Sequence, residues 1–446
     1  MKNISIWEDI KLIKEYPTLN ENKNVDVLII GGGITGISTL YNLKNSNLNI
    51  MLVEQNKIGR SVTSKSTGKL SYLQNDLIDK IRNSFNDHTA SMYLKSQIES
   101  IKMIVNIINK ENINCDLIKV PSYLYTNKEQ EIDKIKSLES FLINNNINVS
   151  KASNNLIKSK YMIKVPNTYL IHPLKFIYGL LKNNKYPIYE NTSIKKIDKK
   201  NSFYLCYTDN YIIKAKYVVI ASHYPYFIIP YLFPLKCSLE KSYISASKYI
   251  DKPISLISYS NPFISIRNYQ DNLIYLSNSH LVNNKVCDKD NFNELIKKVN
   301  DLNLKPNYLW SNIDIMTNDN LPYIGKINNH LLIGTGYNTW GLTNGFLAGK
   351  IISDIILNKN NEYIDIFNPK RININQIIGN IKNTGKTIDG YIKGIIHSDH
   401  KYICPHAKCY LIYNEIEHTF DCPCHGSRFN ESGKCISGPS NQDIDI

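Results

Sequence analysis

The feature that most constrains the fold is an apolar run, Val25 to Ile30, that ends on Gly31-Gly32-Gly33-Ile34-Thr35-Gly36. A short apolar run bounded by glycine reads as a buried strand. Helical periodicity follows through Leu40 and Leu43, and a second strand, Asn49 to Val53, ends in Glu54. This is a βαβ unit, which places its two strands parallel in one sheet. Gly31, Gly33 and Gly36 fit G-x-G-x-x-G. The first permits the tight turn, the second lets the backbone approach a pyrophosphate, and the third lets helix and strand pack closely. Ile34 and Thr35 stand at the helix N-terminus, where free N–H groups and the positive dipole end favour phosphate. Glu54 is placed to accept a ribose hydroxyl. A bound dinucleotide is expected, although the motif alone does not separate FAD from NAD. Gly68-Lys69 imitates a P-loop but has Thr63 and Leu70 where that motif needs Gly and Ser or Thr.

Further on, Tyr72 to Asn109 reads as helical, with Ile98, Ile101, Val105 and Ile108 at helix spacing. Tyr217 to Ala221 is a fully apolar strand, and Leu331 to Ile333 is another. Gly334 to Gly341 is a glycine-rich loop that leads into a helix from Thr343 to about Asn358, with Leu347, Ile351, Ile352, Ile355 and Ile356 on its buried side. After Pro369 the pattern weakens, and residues 371–396 read as a linker.

A net charge of +14 raises the question of nucleic acid. The lysines are spread along the chain, however, and no basic run interleaves with aromatics, so no nucleic-acid partner is expected. The most apolar stretch, Tyr217 to Leu235, is broken by Pro225, Pro230 and Pro234. It is a poor membrane span. With no signal peptide visible at the start, the expectation is a cytoplasmic protein that is not integral to a membrane.

The nine cysteines are unevenly placed. Cys115, Cys206, Cys237 and Cys287 are isolated and read as buried hydrophobes. The others, Cys404, Cys409, Cys422, Cys424 and Cys435, crowd the end of the chain among histidines. That clustering points to a metal. Zinc is the rival ligand-seeker, but its usual Cys and His spacings do not include the Cys404-Pro405-His406 pair.

Cys404-Pro405-His406 followed by Cys422-Pro423-Cys424-His425 resembles the Rieske pattern. The resemblance implies a [2Fe–2S] cluster with Cys404 and Cys422 on one iron and His406 and His425 on the other. It also implies a disulfide between Cys409 and Cys424, against the alternative of two free thiols. Ser427 is expected to donate a hydrogen bond to a cluster sulfur. Phe429 stands where respiratory members carry a tyrosine, which implies a lower potential than theirs. Cys435 has no assigned role. The cluster loops look intact, but the flanking β-structure looks short and is expected to lean on the rest of the protein.

The N-terminal fingerprint, Ser66-Thr67-Gly68-Lys69-Leu70, Asp319-Asn320-Leu321-Pro322-Tyr323-Ile324-Gly325 and the loop Gly334 to Thr343 together resemble the D-amino-acid oxidase family of FAD enzymes. The resemblance implies an α/β fold: a Rossmann-type FAD-binding domain with a mixed α+β substrate subdomain over residues 1–370, and a small all-β Rieske domain over 397–446. It implies flavin contacts from Gly31, Gly33, Ile34, Thr35, Gly36, Glu54, Ser66, Thr67, Lys69, Gly336, Trp340, Gly341 and Thr343. The whole chain resembles bacterial fusions of such a flavoprotein to a Rieske domain. A dehydrogenase is then expected, oxidising a small molecule such as an amine or amino acid and passing single electrons to a protein or quinone acceptor. The rival is an electron-transfer or redox-sensing protein with no small-molecule substrate. Arg267 is the candidate clamp for a substrate carboxylate, against a purely structural ion pair. His172, His223 and His280 are candidates to reach the flavin, and no catalytic base is assigned.

Overall fold

The computed structural model describes residues 1–10, 14–224, 233–282, 287–371, 402–406 and 408–446. Most of the expected linker 371–396, with the first residues of the expected Rieske segment and Pro225 and Pro230, therefore lies outside the described residues.

An eight-stranded sheet carries, in spatial order, Tyr323–Lys326, Leu331–Thr335, Ile212–Ile220, Lys23–Ile30, Ile50–Val53 and Ile188–Tyr189. A hairpin, Lys196–Lys199 and Tyr204–Tyr207, pairs onto Ile212–Ile220. Lys23–Ile30 runs parallel to Ile50–Val53 on one side and Ile212–Ile220 on the other. Val27, Leu28 and Ile29 are all fully buried, as a strand covered on both faces requires. The helices Ile34–Asn42 and Gly341–Ile356 pack over this sheet in close contact. A Cβ at Gly349 would stand 2.5 Å from Ser38 Cβ, so no larger residue fits there without a shift. The second helix starts at Gly341, two residues before the expected Thr343, and its expected apolar positions are buried.

A nine-stranded sheet forms the second layer, in the order Pro306–Thr317, Cys237–Lys248, Asn272–Leu281, Ser265–Tyr269, Ser255–Ser258, Ile118–Thr126, Tyr161–Leu170 and Lys69–Leu70, with Ser150–Lys151 on Tyr161–Leu170. The last part of the chain is a four-stranded antiparallel sheet of three-residue strands: Ile412–Asn414, Thr419–Asp421, Arg428–Asn430 and Cys435–Ser437. No helix among the described residues is long and apolar enough to cross a membrane. Cys115, Cys206 and Cys237 are buried as expected, but Cys287 is exposed at the start of the helix Asp288–Asn300. There the helix origin outranks the residue's preference for the core.

Cys237–Lys248 and Pro306–Thr317 form a wall with two different faces. They pair antiparallel, with Glu240 opposite Asp314, Lys241 opposite Ile313, Ser242 opposite Asn312 and Tyr243 opposite Ser311. Successive side chains on a strand point to opposite faces. Glu240, Ser242, Asn312 and Asp314 therefore share one face, and Lys241, Tyr243, Ser311 and Ile313 share the other. The small sheet sits on the second face. Lys241 Nζ, almost completely buried, contacts Asp421 at 2.7 Å and Asp288 at 2.8 Å. Arg428 closes the group with Asp421 at 3.0 Å and Glu417 at 2.7 Å, and Glu417 accepts from Ser311 N at 3.0 Å. Burial works against every charge here, yet the opposite charges outweigh it: Asp421 and Glu417 are held below the usual carboxylate range, and Lys241 is held above its ordinary value.

Removing one member of a buried ion group strands its partners, at a cost of about 3–5 kcal/mol. Lys241→Met is expected to lower the melting temperature of the holoprotein by several degrees. Because the Asp421 pKa is depressed in the fold, its contribution is complete above the ordinary carboxylate range and is lost as the pH falls below that range toward the depressed folded value. Calorimetry at pH 7 and at about pH 3, below the unfolded aspartate value, checks this, and a Lys241→Met melting point equal to wild type at pH 7 refutes the anchoring role.

Candidate cofactor cleft and cluster site

A cleft opens where the first sheet's strands end. It holds about 1740 Å³ of empty space, part of it open to solvent. The glycine loop forms one end. Gly31 has φ +110°, and a Cβ there would lie 2.5 Å from Ala221 O. A Cβ at Gly36 would lie 1.9 Å from Gly31 O, so the helix can approach the strand only at glycine. Gly33 differs, because its Cβ would meet only Thr63 Oγ1, at 3.3 Å. The loop is tight toward the protein at Gly31 and Gly36 and open toward the cleft at Gly33. Thr63 Oγ1 accepts from Ile34 N at 3.1 Å. Glu54 accepts from Gly32 N at 2.7 Å and Asn56 N at 2.8 Å, while burial raises its carboxyl above the usual range.

Of the expected flavin contacts, Gly31, Gly33, Ile34, Thr35, Glu54, Ser66, Thr67, Lys69, Trp340 and Gly341 line the cleft. Gly36, Gly336 and Thr343 stand behind its wall. Gly336 has φ +72° and packs against Thr317, and Thr343 is fully buried with its carbonyl accepting from Ser100 Oγ. Sequence reasoning missed Thr63, Asn312, Asp314 and Tyr337, which also line the cleft. For Tyr337, within the glycine-rich loop, the loop itself was the available signal. For Asn312 and Asp314 the alternation of Pro306–Thr317 was available, but nothing local says which face meets a ligand.

Arg267 is not a substrate clamp. It is fully buried, and its guanidinium donates to the carbonyls of Asn268, Thr67, Gly68 and Ile171 at 2.6–3.1 Å. Burial pushes its pKa down to about 9. It ties strands and loops together instead of facing the cleft. His172 caps the helix Pro173–Leu180 and packs against Trp7 and Tyr269. His280 bonds to Tyr243 on the face toward the small sheet. Only His223 of the three lines the cleft; its Nε2 lies 3.0 Å from Ile313 O, and burial pushes its pKa down to about 4.

The cluster loops lie across the wall. In one, Cys404 N donates to Cys409 O at 2.9 Å; in the other, Cys422 N donates to Ser427 O at 2.7 Å. A disulfide joins Cys409 to Cys424, and its sulfurs lie within 4.8 Å of Cys422 Sγ. The neighbouring Cys404 thiol and burial hold the Cys422 thiol well above its ordinary range. The His406 and His425 rings are 4.9 Å apart. His425 Nδ1 is buried with no hydrogen-bond partner among the described residues, an arrangement that costs free energy unless a ligand takes the lone pair. Two adjacent thiols, two adjacent imidazoles and this orphaned nitrogen fit an iron–sulfur cluster. Ser427 Oγ accepts from Ser440 N at 3.0 Å, which leaves its own proton for another acceptor. Phe429 is fully buried and offers no hydroxyl. Cys435 is also structural in setting, with Sγ donating to Ser440 O at 3.2 Å.

Ile436, Ser437 and Gly438, beside the cluster loops, also line the dinucleotide cleft. A Cβ at Gly438 would lie 2.5 Å from Gly426 O, and one at Gly426 would lie 3.1 Å from Leu239 Cδ1. Gly438 lets the small unit's own loops pack closely, and Gly426 lets the two halves meet closely.

Such a cleft beside such loops defines a flavoprotein with an attached iron–sulfur centre. Residues 26–355 match the model of the FAD dependent oxidoreductase family (DAO), and residues 396–446 match the Rieske [2Fe-2S] domain. The chain belongs to the FAD dependent oxidoreductase family and carries a Rieske domain. Its cofactors are FAD and a [2Fe–2S] cluster. It is 27% identical to Bacillus subtilis YhfW, whose name places it among Rieske 2Fe-2S iron-sulfur proteins, with 97% of this chain and 95% of that one covered. It is 23% identical to gamma-glutamylputrescine oxidoreductase of Escherichia coli, over 76% of this chain and 85% of that one. Glycine oxidase from Geobacillus kaustophilus shares the fold, with TM-score 0.67 at 17% identity, covering 79% of this chain and all of that one.

The glycine geometry separates folding from cofactor binding. Gly33→Val is expected to fold and to melt like flavin-stripped wild type, judged by circular dichroism, but to be isolated without flavin. Gly36→Val is expected to be insoluble or unfolded. Flavin retained by Gly33→Val would exclude the pyrophosphate from that loop. A second outcome concerns metal: the protein is expected to hold about two irons per chain with an EPR spectrum of mixed nitrogen–sulfur ligation. Cys435→Ser is expected to retain them and Cys422→Ser to lose them. Zinc without iron after anaerobic purification contradicts this.

Proposed function

We propose that the protein is a dehydrogenase that oxidises a small amine or amino acid and passes the electrons singly, by way of the Rieske centre, to a protein or quinone acceptor. The observation that carries this is the shared wall. One face of Cys237–Lys248 and Pro306–Thr317 borders the dinucleotide cleft, and the other carries the sheet with the cluster loops. Bound flavin accepts two electrons from a C–H or C–N bond, and a [2Fe–2S] cluster carries one at a time.

In this reading the backbone N–H groups of Gly33 and Thr35 hold the pyrophosphate, Gly31 and Ile34 shape the loop by donating to Val53 O and Thr63 Oγ1, and Glu54 orients the ribose side. Ser66, Thr67, Lys69, Trp340 and Gly341 enclose the ring end, while Gly36, Gly336 and Thr343 support the loops from behind. Cys404, His406, Cys422 and His425 are the cluster ligands, and the Cys409–Cys424 disulfide braces their loops. Residues 1–370 form the flavoprotein unit, 371–396 the linker and 397–446 the Rieske unit, a division that the matched spans support. The named relatives, an oxidoreductase of gamma-glutamylputrescine and a glycine oxidase, support a nitrogen-bearing substrate.

The test is anaerobic mixing with a panel of amines and amino acids, following flavin absorbance and cluster EPR together. Wild type is expected to bleach its flavin first and reduce its cluster second. Cys422→Ser is expected to bleach at a near-normal rate but to lose steady turnover with a one-electron acceptor. Cluster reduction by substrate at the normal rate in flavin-free Gly33→Val would refute this order. Failure of every compound to bleach the flavin would favour a protein that only relays electrons.

A further inference from the structure

The cleft carries an unusual floor. Glu240, Ser242, Asn312 and Asp314 form two successive cross-strand pairs on the cleft face of the wall. Ser242, Asn312 and Asp314 line the cleft directly, together with Ser279 of the next strand. Asn312 Nδ2 donates to Asp314 at 2.9 Å, and no cation forms an ion pair with Asp314 or Glu240 among the described residues. Burial and the like charge of Glu240 push the Asp314 carboxyl up to about 7. A carboxylate in that state gains when a cation arrives. Trp340 gives a second sign of a missing ligand. It lines the same cleft, is only 8% exposed, and its Nε1–H is buried without a partner among the described residues. Its loop abuts the same strand, with Asn338 N donating to Ile315 O at 3.1 Å.

Cations that could hold a carboxylate are missing from the cleft or already engaged. Among the described residues no arginine lines it. Lys57 is paired with Glu190 and Lys65 with Glu8, while Lys69 donates to Leu256 O and Ser265 Oγ. Ile257, Phe263 and Leu276 supply apolar wall. We propose that this floor is the substrate subsite and that the substrate is an amine with an apolar body, bound through its ammonium group to Asp314, and not an α-amino acid held by its carboxylate. The assignment rests on the oxidoreductase reading above and narrows its substrate class.

The test compares butylamine with norvaline, which is butylamine carrying a carboxylate on the carbon next to nitrogen. Holoenzyme is titrated with each under anaerobic conditions, with binding read by calorimetry and reaction by flavin bleaching. Butylamine is expected to bind about tenfold or more tightly than either norvaline enantiomer, a difference of about 1.4 kcal/mol or more. Asp314→Asn is expected to weaken butylamine by a similar factor while keeping the flavin spectrum, and Asp314→Glu, which keeps the charge, to restore most of the affinity. Norvaline binding as tightly as butylamine overturns the proposal, as does an unchanged butylamine affinity in Asp314→Asn or no butylamine binding at all. If Asp314→Asn loses its flavin, the wild-type comparison decides alone. Binding reports on the subsite and bleaching on the reaction, so the two readings fail separately. Norvaline bleaching the flavin where butylamine does not would sink this assignment and leave the dehydrogenase standing.

Discussion

The ion group centred on Lys241 is the interaction on which the arrangement of the two halves depends. A lysine ammonium is expensive to bury. Here it is held between Asp421 and Asp288, and Asp421 is held again by Arg428. A group of this kind contributes little compared with well-packed apolar residues, but it is intolerant of misplacement. Each charge is satisfied only when the small sheet sits in one position on the wall. Charge thus sets the register of the docking, while Gly426 sets its closeness.

The small sheet needs that support. Its strands are three residues long, and its apolar cluster consists largely of Cys404, Cys409, Cys422 and Cys435 with Leu411, Phe420, Phe429 and Ile444. A core of that size is marginal for independent stability. The disulfide and the cluster ligands act as covalent and coordinate staples, and further bonds run to the large unit. Asn56 Nδ2 donates to Cys435 O at 3.2 Å, and Asn441 Nδ2 donates to Lys195 O at 3.1 Å. Asn56 follows Glu54 closely, so the strand end that shapes the dinucleotide cleft also contacts the Rieske domain.

Legibility from sequence varied with how local the governing physics was. Lys23–Ile30 and Gly31 to Gly36 were readable because apolar runs, glycine spacing and a following helix are short-range patterns. The ligand loops were readable for the same reason, as both cysteines and histidines lie within a few residues of each other. Arg267 stayed open between clamp and structural role because an arginine near apolar residues looks the same whether it faces a ligand or four carbonyls. Cys287 was misread because residue type predicts average burial and not the position of one helix start. Asp314 and Asn312 passed unnoticed, since an alternating strand has two equivalent faces until its partners are known.

The sequence by itself determined the nature of the parts: a parallel-sheet dinucleotide loop, a glycine-rich loop before a helix, and paired Cys and His on two short turns. Each follows from backbone sterics and ligand chemistry acting over a few residues. Only the tertiary structure decided how the parts serve one another. Strands Cys237–Lys248 and Pro306–Thr317 are distant in sequence, and their pairing alone puts acids and amides on the cleft side and Lys241 on the other. Which face meets flavin and which meets the cluster is a matter of long-range packing, and strand periodicity carries no information about it.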